Sequence, residues 1–121
     1  MSLSVPQGFR FGGMYCGIKR NKEALDLAMI VSDRPAVAAG TYTTNLVFAA
    51  PVKWDRGLTP NSSTRGVVIN SGNANACTGE QGLADAREMA ALAAARVGAD
   101  PSDVVFASTG VIGVPMEMEK I

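Results

Sequence analysis

The 121-residue sequence predicts an α+β domain whose strands are mostly antiparallel. Three observations lead to this prediction. The first half consists of short β-prone segments separated by glycines and polar turns. One long alanine-rich segment with helical periodicity follows. An apolar segment near the end is then expected to form a strand of the same sheet. With 47% hydrophobic and 18% charged residues, residues 1–121 have the composition of a single folded domain or of part of one.

The first half predicts three strands and a short fourth segment. Residues 9–19 form the first strand, whose glycines suit a bend or a bulge. Residues 25–31 and 36–43 are expected to pair as a hairpin around a turn at residues 32–35. Residues 49–54 are the fourth segment, and a polar loop is expected over residues 55–64.

The second half predicts a buried strand over residues 65–70, one long helix, a turn at residues 100–103 and a last strand from Val104. Thr78 and Gln81 have the spacing of a capping box, which predicts where the helix begins. Gly98 is a typical helix C-terminal stop. One stripe of the helix is apolar, and its members are Leu83, Ala86, Met89, Ala90, Leu92, Ala93 and Val97.

The charge and hydropathy patterns exclude several classes of function. Lysine plus arginine and aspartate plus glutamate number 11 each, and no basic cluster occurs, so a nucleic-acid-binding surface is not expected. No apolar run reaches the roughly 18–20 residues of a membrane span. The first residues lack the apolar core of a signal peptide, which predicts a cytoplasmic protein without membrane association.

The sequence contains no histidine, which removes every Ser-His-Asp or Cys-His arrangement made within this chain. Cys16 and Cys77 are expected to be free thiols. Two distant cysteines cannot supply the four ligands of a structural zinc site. No metal and no bound cofactor are therefore predicted, and any nucleophilic chemistry needs an unconventional base or one on another polypeptide.

The segment Ser108-Thr109-Gly110, at the end of the last strand, is the leading candidate site. It fits two interpretations: a plain strand end with a turn, or an oxyanion hole made by the Thr109 hydroxyl and the Gly110 N–H. The loss of one such donor typically costs roughly 3–4 kcal/mol of transition-state stabilisation. Thr109 as the nucleophile is the weaker alternative, because the chain offers no obvious base.

The loop at residues 70–79, between a strand and the helix, is rich in small polar residues and glycine. It fits either a structural connection built on Asx-turns or a ligand-facing loop at a helix N-terminus. Its glycine spacing matches no nucleotide-binding pattern. Cys77, beside the helix start, fits a packed thiol better than a catalytic one. Cys16 is expected in the core.

Three segments together carry a family resemblance: residues 24–45 (ALDLAMIVSDRPAVAAGTYTTN), residues 70–79 (NSGNANACTG), and residues 108–113 (STGVIG) with Pro115 and Met116 after them. In order and spacing they resemble the N-terminal part of the ornithine acetyltransferases, the bifunctional glutamate N-acetyltransferases of arginine biosynthesis. Each motif alone is modest, but the set is specific and covers nearly the whole chain.

The resemblance implies a layered sheet-and-helix sandwich like that of the N-terminal-nucleophile enzymes, formed from a self-cleaving precursor. The nucleophile is the new N-terminal threonine of a second (beta) chain, and its α-amine serves as the base. It takes the acetyl group from N-acetylornithine and passes it to glutamate, with acetyl-CoA as a further donor in some members. The full enzyme is expected to be a heterotetramer of two alpha and two beta chains, and Thr109 and Gly110 correspond to its oxyanion hole.

The nucleophile and its cleavage site are not in this sequence, so an N-terminal fragment of the alpha chain, inactive alone, is expected. Two alternatives remain. A self-processing amidohydrolase or aminopeptidase of related fold would share the oxyanion hole. A non-catalytic binding module would use the same sheet without chemistry.

Overall fold

The fold is a four-stranded mixed sheet with two α-helices, as seen in a computed structural model that describes residues 4–121. Residues 1–3, for which no helix or strand is predicted, lie outside that range. The elements in chain order are β1 (Phe9–Met14), β2 (Leu27–Ala38), α1 (Ala50–Leu58), β3 (Asn61–Asn73), α2 (Gly79–Val97) and β4 (Val104–Val111). Short 3₁₀ turns lie at Pro101–Asp103 and Met118–Lys120. The predicted α+β class is confirmed.

The strands lie in the order β1-β2-β3-β4, which is also their order along the chain. The first three are paired antiparallel, whereas β4 runs parallel to β3. The parallel pair requires a crossover, which α2 provides. The prediction that a last strand returns to the sheet after the helix is therefore confirmed, and the carboxyl ends of β3 and β4 lie side by side.

One face of the sheet is covered by the helices, and the alternation of burial along β3 and β4 shows which residues face them. Val68, Val104 and Phe106 are almost fully buried there. From α2, Met89 and Ala90 are buried against them, within a larger core cluster. Alanine side chains let α2 approach the strands closely, so a small core is densely packed.

The opposite face of the sheet is covered by no element among residues 4–121. The alternate residues of the central strands point to this face, because successive side chains of a strand point to opposite sides. Val67, Ile69 and Val105 are half-buried there, and Phe11 on β1 is 55% exposed. Thr109 belongs to the same row of β4 as Val105 and therefore projects from this open face.

The predicted hairpin between residues 25–31 and 36–43 is wrong. Both segments contribute to one strand, β2, and residues 32–35 lie inside it. A register shift between Val31 and Ala36 accommodates this stretch, so Pro35, which has no N–H to donate, does not interrupt the ladder. The turn residues of the sequence therefore mark a bulge rather than a reversal.

The fourth segment and the loop after it are also assigned wrongly from the sequence. Residues 50–58 form helix α1, with Pro51 in its first turn, where the missing N–H costs nothing. The predicted strand over residues 65–70 is correct in its position but too short, since β3 begins at Asn61 and continues to Asn73.

The capping box at the start of α2 does not form. Thr78 is the N-cap residue, but its hydroxyl donates to Asn75 Oδ1 at 2.7 Å, and Gln81 donates to Asp85 Oδ1 at 2.8 Å. The predicted end of the helix is confirmed: Gly98 has φ 66°, the left-handed conformation of a C-terminal cap.

Candidate active site

The two polar motifs of the sequence meet at the carboxyl ends of β3 and β4. In the parallel register Asn70 lies opposite Ser108, Ser71 opposite Thr109, and Gly72 opposite Gly110. Motifs about 40 residues apart in the sequence are thus brought to neighbouring backbones. The structure places Thr109 and Gly110, the predicted site residues, together in the exposed last part of β4.

The two hydroxyls of the motif have different surroundings. Ser108 points to the helix-covered face, where its Oγ accepts a hydrogen bond from the Asn75 N–H at 2.9 Å and donates to the Asn73 carbonyl at 3.1 Å. Thr109 projects from the open face and is exposed. Ser108 therefore ties the two strands to the loop, whereas the Thr109 hydroxyl is left exposed on the open face.

Gly110 is required by the close approach of the two strands. Its φ is 135°, which side chains disfavour, and an added Cβ would meet the carbonyl group of Gly72 and lie 2.6 Å from Asn73 N. Successive residues of a strand turn their N–H groups to alternate edges. Since the Phe106 N–H points away from β3, the Gly110 N–H lies in the same outward row, four residues on.

The loop at residues 70–79 uses its asparagine side chains to hold backbone. The Asn70 amide donates to the Asn73 carbonyl at 2.7 Å, and the Asn75 amide donates to the Gly82 carbonyl at 2.7 Å. The Asn73 amide reaches the carbonyls of Val114 and Pro115 at 3.2 and 3.1 Å. These contacts join the end of β3, the start of α2 and the segment after β4, which keeps the backbone around Gly110 in place.

Helix α1 supports the other edge of β4, a role that the sequence analysis missed. The Trp54 indole donates to the Val104 carbonyl at 3.0 Å, and Asp55 Oδ1 accepts from the Phe106 N–H at 2.9 Å. Burial raises the pKa of Asp55 to about 6, against the opposing effect of the Phe106 hydrogen bond. An acidic residue directly after a lone tryptophan is too weak a pattern to indicate this role.

A buried carboxylate, Asp26, holds the segment beside Gly72. It accepts hydrogen bonds from the N–H groups of Cys16, Gly17 and Lys19 at 2.7, 3.2 and 2.9 Å. Burial alone would raise the pKa of Asp26, but these backbone donors lower it to about 2. The sequence signal was a single aspartate within the apolar run of residues 25–31.

The two cysteines are free thiols, as predicted. Cys16 is half-buried, and burial together with the nearby Asp26 carboxylate raises the pKa of its thiol. Cys77 is exposed rather than packed, and it has a positive φ of 57° directly before Thr78, the N-cap of α2.

An open cavity of about 250 Å³ lies next to the paired glycines. Gly72, Asn73 and Val111 form its strand side, and Arg20 and Glu117 also line it, with the Glu117 carboxylate ion-paired with Lys120. Within residues 4–121, no group of three or more histidine, cysteine or acidic side chains is arranged to hold a metal ion. Neither of the described helices is long and apolar enough to cross a membrane.

Comparison with known proteins gives consistent matches. The model of the ArgJ family matches residues 10–121. The arginine biosynthesis bifunctional protein ArgJ of Geobacter sulfurreducens is 54% identical over 95% of this chain, and that of Rhodopirellula baltica is 51% identical over 97%. These matches cover 29% and 28% of the two relatives, so the chain spans about three-tenths of the length of each.

Two solved structures share the fold. The ArgJ protein of Bacillus halodurans superposes with a TM-score of 0.88 at 39% identity, covering 94% of this chain and 59% of that one. The ornithine acetyltransferase of Mycobacterium tuberculosis, solved in complex with ornithine, gives a TM-score of 0.85 at 42% identity and covers 96% of this chain and 63% of that one.

Proposed function

This chain belongs to the ArgJ family, whose members include bifunctional proteins of arginine biosynthesis, and from that premise we propose that it supplies the oxyanion hole of an acetyltransferase. The proposed reaction moves an acetyl group from N-acetylornithine to glutamate. The observation that carries this proposal is the geometry of β4, whose last residues present the Thr109 hydroxyl and the Gly110 N–H beyond the packed core. The ornithine complex of a 42% identical relative supports the choice of substrate.

The proposed chemistry proceeds through an acetyl-enzyme. A threonine hydroxyl on a second chain attacks the acetyl carbonyl of N-acetylornithine, and its proton passes to that threonine's own α-amine. The carbonyl oxygen becomes an oxyanion, which Thr109 Oγ–H and Gly110 N–H stabilise. The bond to ornithine nitrogen then breaks, and ornithine leaves with the transferred proton. In the second half-reaction the amine of glutamate attacks the acetyl-threonine, the ester bond to the threonine oxygen breaks, and N-acetylglutamate leaves as a proton from the attacking amine passes to the threonine oxygen.

The absence of histidine is consistent with a nucleophile and base that lie on a second chain. A threonine with a free α-amine needs no imidazole base, so this chain has only to bind, orient and stabilise charge. The adjacent cavity is lined by Arg20, whose guanidinium suits the carboxylate of an amino-acid substrate, and by Glu117, whose carboxylate is paired with Lys120. The partner chain, a heterotetramer of two alpha and two beta chains, and a cytoplasmic location remain predictions of the sequence resemblance and composition.

The test is to supply the complete gene product with N-acetylornithine, with and without glutamate. The proposal predicts N-acetylglutamate and ornithine in equal amounts when glutamate is present. Release of free acetate irrespective of glutamate would indicate the amidohydrolase alternative. Binding of N-acetylornithine without any turnover would indicate the binding module.

A further inference from the structure

Within the described residues 4–121, the outer edge of β4 is held by side chains rather than by another strand. β4 is the last strand of the sheet, and its inner edge is fixed by the parallel ladder with β3. On the outer edge, the Val104 carbonyl accepts from the Trp54 indole, and the Phe106 N–H donates to Asp55. Two consecutive residues of α1 thus satisfy two consecutive outward groups that an edge strand would otherwise leave unpaired.

The same outward row continues into the site. Gly110 lies four residues beyond Phe106, about 13 Å along an extended strand. A strand bonded along one edge alone can rotate about that edge, whereas a second row of bonds on the opposite edge fixes the rotation. The rotation of β4 decides where the Gly110 N–H points, and an oxyanion donor acts only when it is aimed at the position the oxyanion will occupy.

We propose that Trp54 and Asp55 are positioning residues for the oxyanion hole: their hydrogen bonds to the outer edge of β4 set the direction of the Gly110 N–H. This inference rests on the proposed function for its catalytic consequence, but its structural consequence is independent of it. Asp55 is a half-buried carboxylate in an environment that disfavours its charge, and its acceptor oxygen is engaged by the Phe106 N–H.

Variants of Trp54 and Asp55 distinguish the effect of their hydrogen bonds to β4 from the effect of their packing. Asp55→Ala removes the acceptor, whereas Asp55→Asn keeps an oxygen at the same place without the charge. Trp54→Phe keeps an aromatic ring against the core and removes only the indole donor. Ala90→Gly on α2 serves as the control for core weakening, because Ala90 packs in the core cluster and takes no part in the hydrogen bonds to the outer edge of β4.

The experiment uses the complete gene product labelled with ¹⁵N-glycine and measures both the Gly110 amide resonance and the acetyl-transfer kinetics. Asp55→Ala and Trp54→Phe are expected to shift the Gly110 resonance and to lower kcat about 10- to 100-fold with little change in KM. Asp55→Asn is expected to restore both. Ala90→Gly should lower Tm and leave the Gly110 resonance and kcat unchanged.

The proposal is overturned if Asp55→Ala and Trp54→Phe lower Tm while the Gly110 resonance and kcat stay unchanged, since the two side chains are then only structural. It is also overturned if Asp55→Asn behaves like Asp55→Ala, because the charge and not the hydrogen bond then matters. If Asp55→Ala does not fold, Trp54→Phe and Asp55→Asn decide the question. An unaltered protein without acetyl transfer would refute the proposed function, and the resonance would still decide the positioning role.

Discussion

The two halves of β4 are one continuous strand, yet their surroundings are opposite. At the start, Val104 and Phe106 are almost fully buried, bonded to β3 on one edge and to α1 on the other. At the end, Thr109 and Gly110 are exposed and lie opposite Ser71 and Gly72 of β3. The next carbonyl, that of Val111, accepts from the Ala74 N–H in the loop after β3. The change takes place within about two residues, at Ala107 and Ser108.

Under the proposed function, this difference would explain how a short strand can hold an oxyanion hole. An oxyanion hole needs donors that are exposed to the substrate but do not move when charge develops. The buried half provides rigidity, and because a strand transmits its direction to its end, the exposed half needs few contacts of its own. The following substitutions test whether the two halves differ in this way, in order of decreasing expected effect.

Removing the largest core side chain of the buried half should have the largest effect on stability. Phe106→Ala is expected to lower the free energy of unfolding by about 3–5 kcal/mol, because it leaves a cavity against α2. Urea unfolding measures the change. A loss below about 1 kcal/mol would mean that the first half of β4 is not the anchor.

Adding a methyl group at Gly110, in the exposed half, should lower the free energy of unfolding nearly as much, but through backbone strain rather than through a cavity. In Gly110→Ala, the new Cβ would collide with the backbone of Gly72, and φ 135° is strained for any side chain. Backbone strain of this kind costs about 1–3 kcal/mol, and activity should be lost together with the register. Urea unfolding and an acetyl-transfer assay check both; full activity would show that the close approach to Gly72 is dispensable.

Substitution of Asp26 tests whether the segment packed beside Gly72 of β3 stabilises the exposed half of β4. Its pKa of about 2 lies below that of an unfolded chain, so its stabilisation is present above about pH 4 and is lost as the pH falls toward 2. Asp26→Asn should lower stability at neutral pH by about 2 kcal/mol. Urea unfolding as a function of pH should also show a weaker acid dependence in the variant; an identical acid profile would contradict this assignment.

Substitution of Asp55 should change the free energy of unfolding least, and it should raise that free energy rather than lower it. Its pKa is raised to about 6, so its contribution favours the fold below about pH 4 and is lost as the pH rises through 6. Asp55→Asn should therefore stabilise the protein above pH 6, by about 1 kcal/mol after allowance for solvent screening. Thermal unfolding at pH 5 and pH 8 measures it, and destabilisation at pH 8 would show that the charge itself is needed.

The sequence predicts the second half of the fold better than the first. Apolar periodicity and Gly98 identify α2, and the buried run before Ser108 identifies β4, because each pattern is local. The register shift inside β2 could not be predicted, since Pro35 and its polar neighbours have the same composition whether they form a turn or a bulge. Helix α1 could not be predicted to support β4, because the strand that its Trp54 contacts lies about 50 residues later in the sequence.

For the proposed site, the sequence singles out Thr109 and Gly110 through a hydroxyl and a glycine at the end of a strand, and through the family resemblance; their role stays a prediction. The sequence does not show what Ser108 does, because the contacts of its hydroxyl with Asn73 and Asn75 depend on the pairing of β4 with β3. The roles of Asp26 and Asp55 depend on backbone N–H groups of distant segments. Such partners leave no pattern of their own in a sequence.

The central claim is that Thr109 stabilises the oxyanion and is not the nucleophile. The most direct measurement is the single-turnover rate at which N-acetylornithine acetylates the complete gene product, compared among the unaltered protein, Thr109→Ser and Thr109→Val. We expect Thr109→Ser to retain most of the rate and Thr109→Val to lose roughly 3–4 kcal/mol of transition-state stabilisation with unchanged folding stability. An unchanged rate in Thr109→Val, or an acetyl group found on Thr109 itself, would contradict the claim.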